Sequence, residues 1–118
     1  MAPVTKPLID VLQQAITFIE KREATPSGDY FEGVLSRGDL ARACELLEGT
    51  FGPAAKEFGK VVKFAGQHQI MVKQIGGVQP DQCLFIKDES NRPIAFAALW
   101  PWASNPQRVT LKVGVFPR

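Results

Sequence analysis

Apolar positions recur at helical spacing in the first half of the chain and in short strand-like runs in the second, with the change near Lys60 to Gly66. After Pro7 come Leu8, Val11, Leu12, Ala15, Ile16, Phe18 and Ile19. That spacing predicts a helix opening at Pro7, where a missing N–H costs nothing, and finishing on the charged turn Glu20 to Glu23. Met1 to Lys6 are expected to fray. Ala24 to Asp29 is a cluster of turn residues and reads as a loop. Tyr30, Phe31, Val34 and Leu35 suggest one or two helical turns, weakened by Gly33. Ser36 and Asp39 have a loose capping-box spacing before Leu40, Ala43, Cys44, Leu46 and Leu47. This second helix should end at Gly49 in left-handed geometry.

Pro53 opens a third helical pattern through Ala54, Ala55, Phe58, Val61, Val62 and Ala65, with Gly59 inside it. A strand from Lys60 to Ala65 competes, because Val61 to Phe64 is β-branched and aromatic. Gln69 to Ile75 reads as a strand that Gly76 and Gly77 end, and Cys83 to Lys87 as another. Asp88 to Arg92 is a polar turn. Ile94 to Trp100 is apolar at every position, so both of its faces should be buried. Ile94, Phe96, Ala98 and Trp100 point one way, and Ala95, Ala97 and Leu99 the other. Pro101 to Gln107 is a loop. Arg108 to Phe116 closes the pattern, with Val109, Leu111, Val113 and Val115 alternating cleanly.

Helices first and strands later predict a segregated α+β fold in a single domain over residues 1–118. Two or three N-terminal helices should pack on one face of a C-terminal antiparallel sheet of three or four strands. Ile94 to Trp100 should be central, with Cys83 to Lys87 and Arg108 to Phe116 beside it. If Arg108 to Phe116 is an edge, Pro117 and Arg118 would blunt it; left open, that edge could pair with a second copy.

Composition narrows the class. With 45% apolar and 22% charged residues in 118, the chain is an ordinary globular one. No apolar run approaches the ~20 residues of a membrane span, and no basic start followed by an apolar region marks a secretory signal. Cys44 and Cys83 form no CxxC pair, which fits reduced thiols in a cytoplasmic protein; a disulfide tying helix to sheet is the alternative. The net charge of +2 hides a balance of −3 over residues 1–59 and +5 over residues 60–118. Acidic helices packed on a basic sheet explain it, as would a sheet surface that faces an anion.

The distinctive local feature is Trp100-Pro101-Trp102, followed by Ala103-Ser104-Asn105-Pro106. Trp100 continues the inward face of its strand, whereas Trp102 should lie in the loop. An indole between two prolines loses little entropy on binding, which makes Trp102 a candidate contact residue; the alternative is a lid folded back over the sheet end. Trp102 with Arg108 and Lys112 also suggests stacking and phosphate contacts to single-stranded nucleic acid. The isoelectric point near 8.7 lies below the ~9 of typical nucleic-acid domains.

His68 is the single histidine, in a polar hinge. A thiol nucleophile at Cys83 with His68 as base would give a third, enzymatic reading. No glycine cluster completes a phosphate loop. Asp88 and Glu89 should keep a hairpin tip wet, and Lys56, Lys60 and Lys63 would share one side of the third helix. No catalytic, metal or cofactor residue is assigned. The expectation is therefore a small non-catalytic binding or protein-interaction module in the cytoplasm, with Trp102, Arg108 and Lys112 as binding residues. A protein partner or self-association ranks ahead of nucleic acid, no membrane partner is expected, and a small-molecule ligand stays open.

Overall fold

The computed structural model of the protein describes residues 5–89 and 91–117. Its elements run α1 (Thr5–Ala15), β1 (Glu20–Ala24), β2 (Tyr30–Ser36), α2 (Leu40–Phe51), α3 (Gly66–Gln74), β3 (Cys83–Lys87), β4 (Ile94–Pro101) and β5 (Arg108–Phe116), with a 3-10 turn at Arg37–Asp39 before α2. The strands form one antiparallel sheet in the order β1-β2-β5-β4-β3. The α+β class holds, but the sheet has five strands, not three or four, and two of them precede the change of hydrophobic period.

The first helix is shorter than its apolar stripe. Thr5, Leu8, Ile9 and Leu12 are buried along one face, and the Thr5 hydroxyl donates to the Gly28 carbonyl at 2.6 Å. Thr5 and Lys6 are therefore helical, while Met1 to Val4, the rest of the segment expected to fray, lie outside the described residues. After the Ile16 N–H bonds the Leu12 carbonyl at 3.0 Å, the β-branched and aromatic run Ile16-Thr17-Phe18-Ile19 leaves the helix and leads into β1. The Ile19 N–H reaches the Val34 carbonyl at 2.8 Å, and Phe18 packs edge-on against Phe31 at 5.0 Å. These sheet contacts outweigh the helical spacing, and the charged turn Glu20 to Glu23 becomes an exposed edge strand.

Tyr30 to Ser36 is likewise a strand rather than helical turns. Its Phe31, Gly33, Val34 and Leu35 are all buried, and a strand buried on both faces shows no clean alternation. Gly33 is needed there, because a Cβ would lie 2.9 Å from the Phe18 ring and 3.2 Å from the Glu20 carbonyl oxygen. The second helix forms as expected but runs through Gly49. Gly52, at φ +77°, supplies a positive-φ residue after it, and its N–H bonds the Glu48 carbonyl at 2.8 Å.

Residues 53–65 are neither the third helix nor a strand. They form an irregular strap latched to β3 by paired backbone bonds between Lys56 and Leu84, at 2.9 and 3.1 Å. The Lys56 side chain, 2% exposed, donates to the carbonyls of Pro80 at 2.7 Å and Gln82 at 2.5 Å. Lys56, Lys60 and Lys63 thus share no helix face. The helix comes later, at α3, where a polar hinge and a strand were predicted: Met71 is fully buried, and Gly76 and Gly77, both at positive φ, end it.

β4 has its two faces as predicted. Ala97 and Leu99 join a core with α1, α2, Phe31, Phe85 and Leu111. Ile94, Phe96 and Ala98 join a second core with Met71 and Leu84, against which Trp100 packs. Hence α1 and α2 cover one face and α3 the other, in place of all helices on one face. β4 lies between β3 and β5 as expected, whereas β5 is the middle strand and no edge; Arg118, invoked to blunt such an edge, lies outside the described residues.

Candidate binding site on the second sheet face

The alternation of β5 buries Val109, Leu111 and Val113 in the core of α1 and α2, so Arg108, Thr110, Lys112 and Gly114 project to the opposite face. Register then fixes their neighbours. Lys112 stands between Glu32 of β2 and Ala98 of β4, and Thr110 between Val34 and Trp100. Gly114 leaves room for Tyr30 and Phe96, whose rings would lie 2.9 and 3.0 Å from a Cβ there.

Trp102 sits just past the end of β4. Its backbone N–H bonds the Arg108 carbonyl at 2.9 Å, and its indole N–H donates to the Thr110 hydroxyl at 2.8 Å. The loop indole is therefore half-buried and laid back on the sheet. The Arg22 guanidinium lies 5.5 Å from its ring centre, and the Lys112 ammonium 4.0 Å from that of Trp100. Both are cation–π distances. Gly76, at the end of α3, borders the Trp100 ring at 3.2 Å measured from where a Cβ would stand.

Carboxylates complete the surface. Arg22 pairs with Glu20 at 3.2 Å and with Glu32 at 3.6 Å. The Tyr30 hydroxyl donates to Glu32 at 2.8 Å, and burial first, then Glu32, raises its pKa, so it stays a donor at neutral pH. The indole N–H of Trp100 is buried and has no hydrogen-bond partner among the described residues.

The structure thus gathers Trp102, Arg108 and Lys112 on one face, with Lys112 over Trp100 rather than over Trp102. Sequence reading missed Arg22, Tyr30 and Glu32. Arg22 was hidden in a charged run read as a helix end. Tyr30 and Glu32 lie in a strand without clean alternation, so no sequence signal disclosed them.

Cys83 and His68 are not brought together. His68 is on α3, bonded to Asp88 at 2.7 Å, whereas Cys83 lies in the core on the opposite face. Burial, foremost, pushes the Cys83 thiol up to about 12, and Cys44 is raised by burial as well. Both thiols are neutral near pH 7, which disfavours a nucleophilic role. Cys44 and Cys83 are free, yet they line one cavity. Among the described residues no group of three or more His, Cys, Asp or Glu could hold a metal ion, and no helix is long and apolar enough to cross a membrane.

Comparison of the chain with protein-family models, with curated proteins and with solved structures finds no match.

Proposed function

We propose that this protein is a non-catalytic, cytoplasmic binding module, and that it contacts a protein or peptide partner through the face carrying Trp100, Trp102, Arg108 and Lys112. One observation carries the reading. Both tryptophans and the single tyrosine of the chain lie on that face, held in place by Lys112, Arg22, Thr110 and Glu32. Indoles fixed before binding lose little entropy in a complex, and Trp, Tyr and Arg dominate interface hot spots. The two free thiols, Cys83 buried and Cys44 half-buried, support the cytoplasmic location.

Protein ranks ahead of single-stranded nucleic acid on the charges. Stacking on bases needs open aromatic faces and cations free for phosphate. Here Lys112 and Arg22 already occupy ring faces, and Arg22 is also paired with Glu20 and Glu32. A face of mixed sign suits a polypeptide carrying both charges and an apolar anchor.

Selection of displayed peptides on the wild-type protein, followed by titration against Trp102→Ala and Lys112→Ala, tests this. The selected peptides should bind at least tenfold more weakly to Trp102→Ala while its circular dichroism is unchanged. Peptides that bind all variants equally would place the contact elsewhere. Salt-sensitive quenching of tryptophan emission by a single-stranded oligonucleotide, without peptide enrichment, would favour nucleic acid instead.

A further inference from the structure

The strap over residues 53–58 does not close fully onto α2 and β3. It leaves a cavity of about 420 Å³, with Cys44 and Glu48 on one wall, Glu57 and Phe58 on another, and Cys83 and Phe85 beneath. This volume falls in the range of small-ligand sites, ~300–1,000 Å³. The cavity lies on the face of the sheet opposite the tryptophans, since Cys83 and Phe85 belong to the core shared with α1 and α2.

Its chemistry is one-sided. The thiols are uncharged near pH 7, as shown above, so the charges on the lining are the two carboxylates. Among the described residues neither Glu48 nor Glu57 has an ion pair or a side-chain hydrogen bond. Lys56, next in sequence to Glu57, does not line the cavity and spends its ammonium on the carbonyls of Pro80 and Gln82. Two phenyl rings, Pro53 and Ala54 supply the apolar wall, and aromatic faces attract cations as well as apolar groups.

We propose that this cavity binds a small organic cation with an aromatic or aliphatic body. The ammonium group sits between Glu48 and Glu57 at the mouth, and the body lies against Phe58 and Phe85. A ligand of this class supplies the positive charge the two carboxylates lack and fills the apolar space between strap and sheet.

The test titrates benzyltrimethylammonium into the full chain, followed by amide chemical shifts, with benzenesulfonate as the anionic control. Saturable shifts confined to Cys44, Glu48, Glu57, Phe58, Cys83 and Phe85 are expected with the cation and none with the sulfonate. In the double variant Glu48→Gln, Glu57→Gln, affinity should fall at least tenfold. Both glutamates are exposed, so this variant should fold, and an unchanged wild-type-like spectrum checks it. Absence of saturable shifts to millimolar cation, equal response to the sulfonate, or undiminished affinity in the double variant would each overturn the proposal.

Discussion

At the scale of single residues, Cys83 sets a clear pH dependence. Its thiol moves from the ordinary 9.0 to about 12 in the folded protein, chiefly through burial. Between those values the folded state holds a proton that the unfolded state has lost, so stability present below pH 9 drains away as pH rises toward 12. Tyr30, also raised, acts in the same direction, whereas Lys56, lowered by burial from 10.5, acts in the opposite one. Urea midpoints measured from pH 8 to 11 should fall less steeply in Cys83→Ala than in wild type, and parallel curves would remove Cys83 as the cause. Trp102→Phe keeps an aromatic ring beside Arg22 but loses the bond to Thr110. It should cost about 1 kcal/mol, the net worth of one hydrogen bond, read from the shift in urea midpoint.

At the scale of elements, two contacts decide where strands stand. A Cβ on Gly33 would meet Phe18, Phe31 and the Glu20 backbone, all within 3.2 Å. Gly33→Ala should therefore loosen β1 and destabilise the protein by roughly 1–3 kcal/mol, seen as a lower melting temperature and faster amide exchange at Ile19. Lys56→Met should free the strap, with faster exchange at the Lys56 and Leu84 amides that now bond across it. These same places limit what sequence can disclose. β4 and β5 were legible because an unbroken apolar run and a strict alternation each have one simple reading. β1 has five exposed residues, and so carries no apolar signal. Phe18 and Ile19 fit the helical stripe of α1 and belong to the sheet only because Phe31 and Val34 wait there. α3 buries one residue fully, Met71, too little to mark a helix.

At the scale of the whole molecule, the sheet's two ends are protected in different ways. β3 is partly capped by the strap through Lys56. β1 is open, and its guard is charge plus a register break between Lys21 and Glu23, both of which discourage edge pairing. Replacing Lys21 and Glu23 together by Val should make sedimentation more concentration-dependent than in wild type; an unchanged profile would assign the protection to the register break alone. The candidate face was half legible for a related reason. Trp102, Arg108 and Lys112 lie close in sequence on the β4–β5 connection and strand. Arg22 and Glu32 arrive only because β2 pairs with β5 across the chain.

That pairing also governs the order of assembly. The strand synthesised last of the five, β5, occupies the middle of the sheet. Until it leaves the ribosome, β2 has β1 as its one sheet neighbour and β4 has β3. Two separate hairpins must then wait, with Phe31, Leu35, Ala97 and Leu99 lacking the strand that will lie between them. Such long-range pairing slows folding, because chain closure precedes the contacts that reward it. A nascent chain halted before Arg108 should thus remain protease-sensitive throughout, and resistance should appear in one step once residue 116 has emerged.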